Sequence, residues 1–265
     1  MTSSSTAIHP MKYMRDFLAR NIRPDGRNLL DVRPTAINVS SVSTADGSAV
    51  VKIGNTELCS PVAEEPNKGF IVPNIELPPL CSSRFKSGPP GEQAQVYNQF
   101  MAEVISNADC VDLQQLVIAQ GKLVWVLYCD MICLDYDGSI LDACVASLFA
   151  ALKTVSLPEV QYDPIAKGKV VLSDKRKPLE VSSIPVSSTF ATFDESLLLA
   201  DPTGEEEDLS LGMVTIVLVE DRLCCVHKPG GCRLTETQLQ ECISRANKRA
   251  KQIQEMVETS IRTLE

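Results

Sequence analysis

No CxxC pair occurs among the ten cysteines of this 265-residue chain, and no apolar run is long enough to cross a bilayer. The opening stretch, MTSSSTAIHPMKYMRDFLAR, lacks the basic segment followed by an apolar core that a secretory signal requires. Both absences lead us to expect an intracellular protein, in which thiols stay reduced and serve mostly as small buried hydrophobes. The nearest approach to a metal-ligand set is Cys224, Cys225, His227 and Cys232. It falls on the β-like run TIVLVEDRLCCVH, where alternation sends Cys224 to the face opposite Cys225 and His227, so no zinc site is expected. An excess of positive charge is also missing. A formal net charge of −9 argues against an isolated domain that holds nucleic acid by bulk electrostatics. Basic residues gather only locally, at Arg84 with Lys86, at Lys175-Arg176-Lys177, and at Lys248, Arg249 and Lys251, and such spots read as solvated surface.

What the chain does have is enough apolar material, 44% of its residues, for one large domain or two small ones. Residues 9–20 read as a short amphipathic helix with Met11, Met14, Phe17 and Leu18 on one face, ended by the turn RPDGR at 23–27. From Ala36 to Cys59, β-type segments alternate with the turns ADGS and IGNT, and a Pro-rich passage follows from Pro61 to Pro90. Tyr97, Phe100, Met101, Val104 and Ile105 recur at helical spacing and predict a helix over 94–108. Two apolar strands, VDLQQLVIA and KLVWVLYCDMICLDY, and a helix from Ile140 to Lys153 complete a first half of α+β character.

Near Leu157-Pro158 a polar, Lys-rich passage opens a second half that restates the first. Strands are expected at Val186–Phe193 and Ser196–Ala200, then through DPTGEEED to TIVLVED and LCCVHKP. A long closing helix carries the stripe Leu239, Ile243, Ala246, Ile253, Val257, Ile261 and Leu264, the pattern of a helix laid on a sheet or a partner. The domain reading is a helix over 1–22, a first half over 23–156 and a second over 157–265.

The stretch LDYDGSILDA, 134–143, gathers three aspartates around a glycine at a strand-to-helix turn. An EF-hand register fails: with Asp137-Gly138 at loop positions 5 and 6, Cys133 falls at 1 and Cys144 at 12. Capping of the helix by Ser139 or a neighbouring aspartate is the local expectation, with Asp135, Asp137 and Asp142 holding the turn and helix start.

Four motifs in order, RPDGR, LPPLCSSRFKSGPPGE, CDMICLDYDGSILDA and LADPTGEEED, resemble the non-catalytic RNase-PH-like subunits of the eukaryotic RNA exosome ring, and the resemblance runs from about Lys12 to the C-terminus. It implies an α+β, RNase-PH-like fold (ribosomal protein S5 domain 2-like) of two related βαβ-type halves with helices packed on mixed sheets. In active members the segment aligned with DYDGSILDA carries a Gly-Thr-Arg whose arginine binds the attacking phosphate. Here Ser139, Ile140 and Leu141 occupy those positions, and an Ile-Leu pair offers no side-chain donor to a phosphate oxygen. The family's two catalytic acids align with Glu207 and Met213, and a methionine neither moves a proton nor binds Mg²⁺. On the helix 94–108, arginines of active or RNA-gripping relatives are replaced by Gln99, Glu103 and Ser106.

The resemblance therefore implies no catalysis, no metal and no cofactor in this chain. Its partners would be the other RNase-PH-like ring subunits, with a neighbour resembling exosome component six of animals, the S1/KH cap subunits, a catalytic exoribonuclease subunit, and RNA threaded through the shared channel, in nucleus, nucleolus and cytoplasm. RNA contact is assigned to Arg84, Lys86 and Lys68. Between Cys59 and Lys68 the chain reads SPVAEEPN, a loop shorter than the acidic, Pro-rich one such relatives typically carry. Two competing functions are an active phosphorolytic 3′-to-5′ exoribonuclease of the same superfamily, which the replaced site residues oppose, and a lone adaptor for AU-rich messenger RNA, which the net charge opposes.

Overall fold

A computed structural model describes residues 10–263, apart from 43–44, 54–55, 67–68, 120–122, 164–168 and 195–196; for 53, 56–66, 123, 161–163, 169–172 and 194 the backbone alone is described. The chain opens with helix α1 (Pro10–Leu18), whose buried Met14 and Leu18 are part of the expected stripe. Strands β1 (Thr35–Val39), β2 (Ser48–Ile53) and β3 (Thr56–Pro66) follow as successive antiparallel neighbours. Strand β4 (Phe70–Glu76), helix α2 (Glu92–Ala108), the short β5 (Val117–Ala119) and the long β6 (Leu123–Asp135) complete the first sheet. Its order is β1-β2-β3-β6-β4, and β6 lies antiparallel to β3 and parallel to β4, while β5 pairs with one end of β6.

Helix α3 (Ile140–Leu152) leads into a hairpin of β7 (Ser156–Asp163) and β8 (Lys169–Pro178). The second sheet contains β9 (Pro185–Asp194), β10 (Leu197–Ala200), β11 (Gly212–Val219) and β12 (Arg222–His227) in the order β10-β9-β11-β12, antiparallel throughout. The one-turn helix α4 (Gly204–Leu209) links β10 to β11, and α5 (Glu236–Arg262) closes the fold.

Each half thus lays helices on a sheet, and the α+β class follows. Helix α3 is apolar on nearly every side, ILDACVASLFAAL, and a helix of that composition has to be buried all round. It packs on β2 and β3 of one sheet and on β9 of the other. Helix α5 lies on β9, β11 and β1, burying Cys242, Ala246, Ala250, Ile253 and Val257. The small side chains in that set let the helix approach the sheet closely. Leu239, Ile243 and Ile261 pack at its margins, and Leu264 lies outside the described residues.

Three expectations need correction. VDLQQLVIA is not one strand: Asp112 accepts a hydrogen bond from the Gln114 N–H and starts a 3-10 turn over Leu113–Leu116, leaving only β5 extended. The segment read as a short loop between Cys59 and Lys68 is largely strand, because β3 continues to Pro66 against β6. The Lys-rich passage after Leu157 is the β7–β8 hairpin, where Arg176 ties back to Asp46 and, at 2.8 Å, to the Ser156 carbonyl. Among the described residues, no helix is long and apolar enough to cross a membrane.

Candidate functional site

The turn after β6 is built around Gly138, whose φ of +77° suits a residue without a Cβ. A Cβ there would stand 2.4 Å from the Pro202 carbonyl oxygen, so the turn presses directly on the backbone that starts α4. Ser139 follows in a left-handed conformation, φ +51°, as the N-cap of α3. Its side chain does not cap the helix, contrary to expectation; the hydroxyl donates to the Pro202 carbonyl at 3.0 Å. The Ser139 N–H instead donates to Glu207 Oε1 at 2.8 Å, and the Tyr136 hydroxyl donates to Glu207 Oε2 at 3.0 Å. A carboxylate from the second half thus sits where the start of α3 would otherwise be open to an anion.

The three aspartates of the turn separate in role. Asp137 accepts from the Gly204 N–H at 3.2 Å and from Arg33 at 3.3 Å, so it fastens the turn to α4. Asp142 accepts from the Thr189 N–H at 2.9 Å and from its hydroxyl at 2.8 Å, fastening α3 to β9. Asp135 is exposed at the end of β6.

Sequence reasoning missed the polar network underneath. Arg33 donates to both Asp201 oxygens, at 2.7 and 2.9 Å, and to the Asp137 carbonyl at 2.6 Å. Arg23, fully buried, pairs with the buried Glu206 and donates to the Ala200 and Asp201 carbonyls at 2.7 and 2.8 Å. Thr203 and Glu206 form a reciprocal capping box on α4. The signal was present in the opposite charges of RPDGR and DPTGEEED, two motifs already singled out; what the sequence alone does not reveal is that they meet.

Ser139, Ile140, Leu141, Glu207 and Met213 all line one cavity of about 490 Å³, together with Glu92, Gln93, Tyr97, Thr215 and His227. Burial pushes the Glu207 carboxyl up to about 7, against the two hydrogen bonds it accepts and the nearby Arg33 and Arg84 charges. Burial likewise raises Tyr97 to about 12, and its hydroxyl accepts from Gln93 Nε2 at 2.6 Å. Burial and the adjacent Glu207 push Tyr136 upward. His227 stacks against Phe100 at 5.1 Å between ring centroids, and burial lowers its pKa. Among the described residues, neither lysine nor arginine lines this cavity. It can hold a neutral or weakly polar group, and Glu207 can exchange a proton near neutral pH, but no side-chain cation faces a transferring phosphate.

Of the residues assigned to RNA contact, two share a loop. Arg84 is exposed but engaged, 2.6 Å from Asp208 and over the Tyr136 ring at 5.1 Å. Lys86 is exposed on the same Pro-rich loop, and Lys68 lies outside the described residues. Gln99, Glu103 and Ser106 are exposed on α2, Gln99 donating to Glu103 at 3.2 Å. Arg249 departs from the solvated reading, since it bonds Thr35 and burial lowers its pKa. Cys232 Sγ lies 2.8 Å from the Thr192 hydroxyl, while Cys224 Sγ faces the Val104 carbonyl on α2 at 4.0 Å.

This α+β chain, with two main sheets, a separate hairpin and a cavity formed where a strand-to-helix turn meets an acidic helix from the other half, matches the 3′ exoribonuclease family, domain 1 over residues 31–158 and domain 2 over 183–249. The chain belongs to that family. Among curated proteins it is 41% identical to exosome complex component rrp43 of Schizosaccharomyces pombe, over 89% of this chain and 90% of that one. It is 34% identical to exosome complex component Rrp42 of Pyrococcus furiosus, over 92% and 91% of the two chains. Among solved structures, a chain of the Archaeoglobus fulgidus exosome with RNA bound to the active site superposes with a TM-score of 0.81 at 30% identity, covering 92% of this chain and 96% of that one. A chain of an archaeal exosome core gives 0.79 at 27% identity, over 97% and 100%.

Proposed function

We propose that this chain is a non-catalytic structural subunit of an RNA exosome core ring, helping to form the channel that guides RNA to a 3′-to-5′ exoribonuclease carried by another subunit. The observation that carries the reading is the chemistry of the 490 Å³ cavity: Ile140, Leu141 and Met213 stand on its wall, and among the described residues no lysine or arginine joins them. Phosphoryl transfer depends on cations or N–H donors aimed at the transferring group. The Ser139 N–H, at the start of α3, is already taken by Glu207.

Within such a ring the chain corresponds to exosome component eight of animals, a finer assignment supported by the order of the four motifs. Its neighbours are other RNase-PH-like subunits, one of them resembling component six, with S1/KH cap subunits above and a catalytic exoribonuclease attached. The substrates are ribosomal RNA precursors and messenger RNA, handled in nucleus, nucleolus and cytoplasm. Arg84 and Lys86, exposed on the loop after β4, are the RNA-backbone contacts we favour.

The test is the native mass of the tagged chain gently purified from cell extract, with its companions identified by mass spectrometry. A complex of unlike subunits, several with RNase-PH-like sequences, is the expected outcome. A free monomer or a homo-hexamer would overturn the assignment and return attention to Glu207.

A further inference from the structure

A second cavity, of about 200 Å³, lies between α5, α3 and β9 and shares only Thr189 with the first. It is partly open to solvent, and polar and charged side chains share its wall with apolar ones. Ser188 is 8% exposed, and its hydroxyl has no hydrogen-bond partner. Leaving a buried hydroxyl unpaired is costly, and native structures ordinarily satisfy such groups with protein, water or ligand. Arg245, Lys248 and Arg249, spaced to share one face of α5, line the same cavity. Arg245 spends its Nε on Glu241 at 2.6 Å, and Arg249 gives one N–H to Thr35, so both keep other donors. Lys248 has no ion-pair partner among the described residues.

Facing these donors is Asp142. Each of its oxygens takes a hydrogen bond from Thr189 and the Ser187 hydroxyl adds another, which leaves part of the carboxylate's accepting capacity open. Asp201 also lines the cavity, but its charge is bound by Arg33 and Arg27, and Asp31 is exposed at the margin. Three cationic donors and a free hydroxyl suit an oxyanion, whereas an added acceptor repels one that carries no proton. An oxyanion bearing its own hydrogen satisfies both sides.

We propose that this second cavity binds a proton-bearing tetrahedral oxyanion, inorganic phosphate, with Lys248, Arg249 and Ser188 donating and Asp142 accepting the anion's hydrogen. The site is separate from the cavity around Glu207, and its occupancy does not depend on whether the chain acts in a ring. Phosphate near neutral pH retains a proton, while sulfate retains none. The arrangement therefore predicts discrimination between two anions of nearly equal size.

The experiment is calorimetric titration of the full chain at pH 7 and constant ionic strength with sodium phosphate, sodium sulfate and adenosine 5′-monophosphate. Saturable phosphate binding is expected, with sulfate weaker by about tenfold or more, the scale of a lost charge-assisted hydrogen bond. Ser188→Ala should weaken phosphate by about fivefold, the loss of one ordinary hydrogen bond. Lys248→Ala, an exposed side chain whose loss leaves the fold intact, should weaken it further. Asp142→Asn should bring sulfate toward phosphate; should that variant fail to fold, the wild-type comparison of the two anions stands on its own. At pH 7 a phosphomonoester, with a second pKa of about 6, has largely lost its last proton, so the nucleotide should bind more weakly than phosphate, and tighter binding of the nucleotide would overturn the proposal. Absence of saturable phosphate binding, equal affinity for sulfate, or affinity unmoved by both Ser188→Ala and Lys248→Ala would overturn it.

Discussion

Replacing Arg23 by methionine removes the cation of a buried pair while keeping most of its volume. Arg23 is fully enclosed, and Glu206, its partner, is 2% exposed. The substitution leaves Glu206 with the Thr203 N–H at 2.8 Å and with Arg27, whose NH2 stands 4.0 Å away. It also strips a donor from the Ala200 and Asp201 carbonyls, bonded at 2.7 and 2.8 Å. Breaking a buried pair from one side costs about 3–5 kcal/mol, because a desolvated charge remains without compensation. Arg27 can swing toward Glu206, which places the expected loss at the lower end, about 3 kcal/mol. Against a typical total of about 5–15 kcal/mol, that is a large share. The assay is urea unfolding of the full chain at pH 7, followed by circular dichroism, for wild type, Arg23→Met, Glu206→Gln and the double variant. The double variant should lose less than the sum of the singles, by about 1–3 kcal/mol, since removing the second charge relieves the first defect. A loss below about 1 kcal/mol for Arg23→Met, or simple additivity, would refute the reasoning.

Glu207 makes a prediction in pH. Its folded pKa, about 7, is raised from the ordinary 4.5, so the folded state binds the proton more tightly and stability falls as pH rises between those values. Glu207→Gln should flatten that decline by on the order of 3 kcal/mol between pH 4.5 and pH 7, read from urea midpoints; parallel pH profiles for the two proteins would show that the carboxyl is not perturbed. Asp142, raised to about 6 by burial, contributes in the same direction and is common to both proteins, so the difference isolates Glu207. Gly138→Ala combines a left-handed φ with a close approach to Pro202 and should cost about 3 kcal/mol; a shift in thermal midpoint of less than a degree would contradict the packing described. The purified chain should release no nucleoside diphosphates from single-stranded RNA in the presence of phosphate, and phosphate-dependent shortening abolished by Glu207→Ala would defeat the non-catalytic reading. Thr235→Ala removes the cap of α5 and should cost about 1 kcal/mol in the same unfolding assay.

Most helices were legible because their periodicity is strong. Tyr97, Phe100, Met101 and Val104 mark α2 without reference to anything distant, and all four are buried. The strands around ADGS were legible for the same local reason. VDLQQLVIA misled because its apolar residues fit a strand, while the decisive interaction was one Asp112 side chain capturing a backbone N–H. The β7–β8 hairpin was hidden by lysines on an exposed two-stranded ribbon, where polarity carries no information about pairing. At the candidate site, sequence reading named Ser139, Ile140, Leu141, Glu207 and Met213, and the fold gathers them around one cavity. It could not anticipate that the Glu207 carboxylate, rather than the Ser139 hydroxyl, would meet the start of α3, since that contact joins residues 68 apart. Arg33 and Asp201, separated by 168 positions, were beyond reach for the same reason.

Helix α1 packs mainly on residues far along the chain, with Leu29 the nearby exception among the described residues. Met14 and Leu18 pack on Ala191, Phe193 and Leu199, and Arg23 waits for Glu206. During synthesis this first segment must leave the ribosome with its apolar face uncovered and stay so until the second sheet has been made. Translation therefore delivers α1 well before the strands that cover it. A chaperone that shields residues 10–23 during that interval would have a long window in which to act. A change in α1 would be felt by the C-terminal half, although about 160 residues of sequence separate Arg23 from the first strand that covers its neighbours.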